Sequence, residues 1–337
     1  MDLTINLKSL EFENGLGEYE REFTYLRSRS ADLTVCGCGH AVFLCQMASL
    51  LREKVKGISN KSHLQGLNVG ILGGGNIGKQ LTMVLLGVPG FRPCNISIST
   101  KRPETLSEFS RTGVQCYYDN GKLAAWADVL FLCILPSHLP HVCAELRSHL
   151  PAHCLVYTFT SAVPLHRLTL LLGHSFVLKP QYEFVAGNSV QMWLQHNQVA
   201  KSLKDKEVVT ATCPLSMTAG SVSWDQWWVC ALLYGLLNIC TAEGLGSSQA
   251  LQLLNEIFQT NLSTGTFICQ SFVNSSCAST LTNSEEPFPW IHLVDAQTKQ
   301  TPLSSYLSGH KALQKCISAL YSKTFSGLSD RKCEMKE

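Results

Sequence analysis

The stretch LNVGILGGGNIGKQL, residues 67–81, narrows the folds open to this chain more than any other. A short apolar run enters a glycine-rich turn, and a helix-forming run leaves it. Gly73, Gly75 and Gly78 have the spacing G-x-G-x-x-G. In a strand–turn–helix setting each glycine has its own physical reason. Gly73 permits the tight turn, Gly75 lets a pyrophosphate approach the backbone, and Gly78 lets the helix pack close to the strand. The helix start then offers unpaired N–H groups and a positive dipole end to an anion. The competing reading is a plain strand-to-helix turn.

The next hundred residues favour the first reading. Strand-like runs at 95–99, 114–118, 128–136, 154–160 and 175–180 alternate with helix-like runs at 103–113, 121–127, 138–150 and 165–173. The run DVLFLCILP (128–136) is continuously apolar, as expected of a central parallel strand buried on both faces. Strands alternating with helices predict a parallel sheet covered on both sides. The fold class expected is α/β: a Rossmann-type doubly wound parallel sheet followed by a mainly helical second domain. The expected divisions are a partly helical N-terminal extension (1–66), a dinucleotide-binding domain (67–182), a mainly helical domain (183–325) and a C-terminal tail (326–337). Within them, residues 41–55 read as a helix and 56–66 as a loop. Helical segments are expected at 224–244, 247–258 and 301–325, and a loop at 274–290.

The second strand bears on the choice of cofactor. An NAD site usually ends this strand with an acid that binds the ribose 2′-hydroxyl. Here the residues are Ser99, Thr100, Lys101 and Arg102. Two hydroxyls and two cations suit a 2′-phosphate through charge-assisted hydrogen bonds, so NADP(H) is expected over NAD. The alternative is a pair of solvated charges ahead of a helix.

Composition excludes other classes. In 337 residues the formal net charge is +2, which gives no reason to expect nucleic acid or an anionic membrane as partner. The first residues are acidic and lack an apolar run, so no secretory signal is expected. Fifteen cysteines without such a signal imply reduced thiols and a cytoplasmic location. No Cys-x-x-Cys pair recurs, so CGCGH (36–40) reads as a buried small-residue stretch rather than a metal site. The most apolar segment, WWVCALLYGLLNIC (227–240), is shorter than the roughly 20 residues a bilayer needs. It reads as a buried or interface helix, and no membrane span is expected.

Across about a third of the chain, residues 68–181, these pieces resemble the pyrroline-5-carboxylate reductase family. The matching stretches run in order: VGILGGGNIGKQL, ISISTKRPETLSEF, Asp119–Asn120, ADVLFLCILPS (127–137) and CLVYTFTSAVPLHRL (154–168). The resemblance implies a phosphate loop at Gly73, Gly75, Asn76, Ile77 and Gly78. It implies a 2′-phosphate pocket at Ser99, Thr100, Lys101 and Arg102, and a cofactor contact at Asn120. It also implies that Cys133, Ile134, Leu135 and Pro136, with Phe159, Thr160 and Ser161, line the nicotinamide side. A homodimer through the helical domain is implied as well. The chain departs from the family pattern in three places. Leu135 stands where members carry Lys. Lys179, Pro180 and Gln181 replace Met-Pro-Asn. The imino-acid turn Ser-Gly-Ser-Gly-Pro-Ala-Tyr has SVSWDQW (221–227) as its nearest counterpart, which keeps Ser221 and Ser223 but neither glycine nor the proline.

Hydride transfer to C=N asks the protein mainly for orientation and a proton. Lys179, at an expected strand end, and Ser221 are the candidate catalytic residues. The alternatives for Lys179 are an anchor for a substrate carboxylate and an exposed loop residue. His138 and His141 read as surface residues. Three functions stand open. One is an NADP-dependent oxidoreductase acting on a small-molecule C=N or C=O substrate, with pyrroline-5-carboxylate the member the resemblance suggests. The second is an NADP(H)-binding protein without catalysis, a sensor or scaffold. The third is an interaction protein using its aromatic helix.

Overall fold

The computed structural model describes residues 24–59, 66–184, 198–215, 222–224, 227–260, 265–274 and 285–328, together with Gly17 and Tyr19. Six parallel strands form the main sheet: β1 (Val69–Leu72), β2 (Ile96–Ser99), β3 (Gln115–Tyr117), β4 (Val129–Leu132), β5 (Leu155–Thr158) and β6 (Val177–Leu178). Their order is β3-β2-β1-β4-β5-β6, the doubly wound arrangement that the alternation predicts. In register, Val69 lies between Ile96 and Val129, and Leu72 between Ser99 and Leu132. Every residue of β1, β2, β4 and β5 is buried, which explains why β1 and β4 are apolar throughout, while β2 and β5 also bury Ser97, Ser99 and Thr158.

Helices connect the strands: α2 (Asn76–Gly87), α3 (Ser107–Thr112), α4 (Asn120–Trp126), α5 (Leu139–Leu146) and α6 (Leu165–Leu172). Asp119 caps α4, its carboxylate accepting from the Lys122 N–H at 2.8 Å. Gly113 and Gly173 end α3 and α6 in the left-handed region that glycine favours.

The largest departure from expectation precedes the sheet. One helix, α1 (Thr24–Ser59), replaces the expected helix at 41–55 and absorbs the first part of the loop placed after it. Val35 and most residues from there to Val55 are buried in the same apolar core as β1, β4 and β5. Its middle, residues 35–51, carries no Lys, Arg, Asp or Glu on any face, so this part belongs inside a protein. Arg29–Gly57 is long and apolar enough to cross a bilayer by length and composition, but 72% of its most apolar window is buried within the fold. CGCGH lies in its middle. A Cβ on Gly37 would sit 2.9 Å from the Phe159 ring, and one on Gly39 would sit 2.6 Å from the Tyr321 hydroxyl. The two glycines therefore serve close packing. His40 packs its ring 4.9 Å from Trp228 and 5.8 Å from Tyr321, and its Nε2 lies 2.7 Å from the Thr212 carbonyl. Among the described residues no group of His, Cys, Asp or Glu could hold a metal ion.

The remainder is mainly helical: α7 (Val199–Ser202), α8 (Lys206–Thr212), α9 (Trp227–Ala242), α10 (Ser247–Ile257), α11 (Cys269–Phe272), α12 (Leu293–Thr298), α13 (Pro302–Gly309) and α14 (Lys311–Phe325). A two-stranded antiparallel pair, β7 (Tyr182–Phe184) with β8 (Val222–Trp224), stands apart from the main sheet. Trp224 thus lies in a strand rather than at the start of α9. The helix expected over 301–325 is two helices, broken at His310. Of the loop expected at 274–290, residues 285–290 are irregular and 275–284 lie outside the described residues.

The aromatic helix α9 is buried nearly all round, from Trp228 to Cys240, and packs on α1, α12 and β6. Asn238 within it exchanges two hydrogen bonds with the Ile291 backbone, at 2.8 and 2.9 Å. This corrects the reading of α9 as a face for a partner: the chain's own elements cover it.

Candidate functional site

The turn between β1 and α2 is built as the glycine spacing requires. Gly73 has φ +110°, and its N–H donates to the Ser99 carbonyl at 2.9 Å. A Cβ there would fall 2.4 Å from the Cys133 carbonyl oxygen, and a Cβ on Gly78 would fall 2.0 Å from the Gly73 carbonyl oxygen. These two glycines are needed for packing. Gly75 differs. Its backbone is extended (φ −77°, ψ −168°), and a Cβ built on it meets nothing within 4 Å. It sits at the N-cap of α2 with no side chain capping the first amides. Helix geometry leaves those amides without intrahelical partners, so they face open space, with Asn76 exposed and Ile77 half-buried beside them.

On one side of this turn the end of β2 carries Thr100, Lys101 and Arg102. Thr100 is tied to the sheet by its N–H, which donates to the Tyr117 carbonyl at 2.9 Å. Lys101 and Arg102 are exposed, and neither pairs with a carboxylate among the described residues. Ser99 corrects its expected role. It is buried, its hydroxyl donates to Asn120 Oδ1 at 2.7 Å, and it accepts from the Asp119 N–H at 3.2 Å. Asn120 in turn donates from Nδ2 to Glu145 at 2.5 Å, and Glu145 lies 3.1 Å from His141. Ser99 and Asn120 therefore stiffen the floor of this side. Glu145, which sequence reasoning missed, belongs to the same network.

On the other side lie the ends of β4, β5 and β6. Cys133 continues the ladder by donating its N–H to Leu72 at 2.8 Å, Ile134 is half-buried, and Leu135 and Pro136 are exposed. The exposed Leu135 gives this edge an apolar lip. Phe159 packs against Tyr157 with the rings tilted and their centroids 5.2 Å apart. Thr160 is buried and donates to the Ile134 carbonyl at 3.2 Å, so it joins two strand ends rather than facing a ligand, while Ser161 is exposed. Lys179 is half-buried. Its Nζ donates to the Val163 carbonyl at 2.6 Å, and burial lowers its pKa below the ordinary lysine value. Its N–H donates to Gln297, whose Nε2 donates to the carbonyls of Val177 and Leu293. Gln297 thus locks the end of β6 and aims Lys179, and no local pattern around it signals this. Ser221 lies outside the described residues.

Two cavities open at these ends. One, of about 180 Å³, lies between Ile77 of α2, Phe159 and the first turns of α1. The other, of about 860 Å³, holds Lys179, Asp295 and Lys299 and shares Leu33, Ser161 and Tyr182 with the first. The eighteen residues of α1 between Leu33 and Arg52 carry the helix from this edge to the opposite one, where Arg52 pairs with Asp128 just ahead of β4.

A family model described as "NADP oxidoreductase coenzyme F420-dependent" matches residues 68–159. The mouse "NADP-dependent oxidoreductase domain-containing protein 1" is 39% identical over 346 aligned residues, covering 96% of this chain and 94% of the mouse protein. Among solved structures, a pyrroline-5-carboxylate reductase from Coxiella burnetii is 17% identical, covering 78% of this chain and 99% of its own, with a TM-score of 0.32. A Plasmodium falciparum pyrroline carboxylate reductase with NADP bound is 12% identical, covering 78% and 98%, with a TM-score of 0.31. The chain belongs to the family of the mouse NADP-dependent oxidoreductase domain-containing protein, and it carries an oxidoreductase-family domain.

Proposed function

We propose that this chain binds NADP(H) and transfers hydride between it and a small C=N or C=O substrate, in the manner its resemblance to pyrroline-5-carboxylate reductase suggests. The observation that carries the proposal is Gly75. Its missing side chain opens the amides at the start of α2 to solvent, in a loop where a Cβ on Gly73, Gly74 or Gly78 would meet its neighbours at 2.9 Å or less. The pyrophosphate takes these amides. Thr100, Lys101 and Arg102 take the 2′-phosphate, because two cations and a hydroxyl with no paired carboxylate favour it over a bare ribose. The bound cofactor supplies the hydride.

The chain's own residues do the rest. Leu135, Phe159 and Ser161 shape the opposite strand ends. Lys179, held by Val163 and Gln297, offers an ammonium to a substrate anion or a proton to a developing amine or alkoxide. Its lowered pKa eases that proton transfer.

A thermal-shift panel of NADPH, NADP, NADH and NAD on the purified protein tests the binding. NADPH and NADP raise the melting temperature, and the other two raise it little. Lys101→Ala with Arg102→Ala narrows that gap by weakening NADPH far more than NADH. Equal responses to all four nucleotides would overturn the 2′-phosphate assignment, and no response to any would overturn the proposal. Oxidation of NADPH with pyrroline-5-carboxylate tests the substrate. Binding without turnover of that or any related imine or carbonyl favours a sensor or scaffold instead.

A further inference from the structure

The smaller cavity beside the glycine loop has a wall from outside the parallel-sheet domain. Ser30, Leu33 and Thr34, in the first turns of α1, face Ile77, Phe159 and Tyr182 across about 180 Å³. None of the side chains that line it carries a formal charge at neutral pH. Ile77 is the second residue of α2, so this space adjoins the open phosphate amides. It lies on the β5 and β6 side, away from Lys101 and Arg102 on β2.

Position and chemistry agree. A dinucleotide whose pyrophosphate sits at the start of α2 and whose phosphorylated ribose lies over β2 extends its other half toward β4 and β5. That half ends in a planar ring, and an uncharged, partly aromatic cavity of this size suits a ring. A charged group is better served by the neighbouring cavity, where Lys179 stands.

The sequence feature left unexplained by the glycine loop now has a use. Gly37 lets α1 come within contact distance of Phe159, and the Tyr157 hydroxyl donates to the Gly37 carbonyl at 3.3 Å. This fastens the helix to the end of β5 one turn past Leu33 and Thr34. Thr34 is itself held, its hydroxyl donating to the Ser30 carbonyl at 2.8 Å. The wall is thus part of a rigid helix.

We propose that the first turns of α1 complete the cofactor cleft, with the nicotinamide ring entering between Leu33 and Thr34 on one side and Phe159 on the other. Leu33, shared by both cavities, then sets how far a substrate approaches that ring. This inference rests on the NADP(H) reading above, and its test separates the two.

The probes are NADPH and adenosine 2′,5′-bisphosphate, which carries the phosphorylated ribose and a 5′-phosphate but no nicotinamide. The variants are Leu33→Trp, which fills the cavity, and Ser30→Trp, at an exposed position on its rim. Dissociation constants are measured by calorimetry, with the melting temperature of the free protein as the check on folding. In both variants NADPH should weaken by about tenfold or more while the bisphosphate stays within about twofold of the parent. If both variants bind NADPH as the parent does, α1 does not line the ring's place and the inference is overturned. If both lose the bisphosphate together with NADPH, the helix acts on the fold or the phosphate end, and the inference is equally overturned. Failure of the parent protein to bind either compound sinks the NADP(H) reading instead.

Discussion

Gly75 should respond to substitution in a way that separates fold from ligand. Gly75→Asp places a carboxylate at the N-cap of α2, in a backbone conformation (φ −77°, ψ −168°) that any residue adopts. The new Cβ meets nothing within 4 Å. Aspartate is among the best N-cap residues, and its charge opposes the helix dipole favourably. Removing a glycine also reduces the entropy of the unfolded chain. Together these stabilise the free protein by about 1 kcal/mol, or a rise of about 2 °C in melting temperature. The same carboxylate occupies the place of the pyrophosphate and repels it. At a hundred times its dissociation constant, NADPH stabilises the parent by about 2.7 kcal/mol, and the variant should show none of this. Gly78→Ala gives the contrast. Its Cβ would lie 2.0 Å from a backbone oxygen that cannot yield without moving the β1–α2 turn, so the free protein itself loses stability. Differential scanning fluorimetry with and without NADPH reads both quantities. A Gly75→Asp protein that melts below the parent, or that keeps its NADPH shift, would refute the reasoning.

The same structure supports two further expectations. His40 is neutral in the fold, burial lowering its pKa from 6.5 to about 3, so as pH falls below 6.5 the unfolded chain takes up a proton that the folded chain refuses. Stability is fully present above 6.5 and drains away toward pH 3, by about 5 kcal/mol for the whole gap. His40→Phe should flatten the fall of melting temperature between pH 6.5 and 4, and an unchanged slope would count against this origin. At the other end of α1, Arg52 pairs with Asp128, whose carboxylate also accepts from the Asn68 N–H at 2.8 Å, and both side chains are mostly covered. Arg52→Met should cost about 1–3 kcal/mol in urea unfolding; a loss under about 0.5 kcal/mol would show the pair to be no more than a surface contact.

What could be read before the structure was local in origin. A strand buried on both faces is mostly apolar, so 128–136 announced itself. The glycine spacing reflects in part a backbone clash five residues apart, Gly78 against Gly73, while Gly73 is also set against the end of β4. What stayed hidden depends on distant partners. Ser99 reads as a free hydroxyl until Asn120, 21 residues on, is seen to accept from it. Lys179 reads as a candidate at a strand end, but Gln297 and Val163, which hold it, are not visible in the sequence around it. Cys36 and Cys38 read correctly as part of a buried small-residue stretch, but what buries them, Tyr321 and Phe159 against Gly39 and Gly37, is far away in the chain.

The helix α1 is the case that matters most for function, and its illegibility has a physical cause. A helix with one dry face shows a period near 3.6, but one buried on most sides shows little, and so only its second half, residues 41–55, read as helix while the turns before it did not. Its length follows from its task. From Leu33 to Arg52 a helix rises about 28 Å at about 1.5 Å per residue. A four-residue strand spans only about 13 Å. One element therefore reaches past both edges of the sheet, fastened at one by Arg52 with Asp128 and at the other by Gly37 against Phe159. A flexible segment preceding β1 could cover the same strand ends, but it would lose conformational entropy on meeting a ligand. A helix already held by the core loses almost none. The small residues at 37 and 39 permit that holding at close range, which makes a buried, chemically inert motif a condition for the shape of the cleft above it.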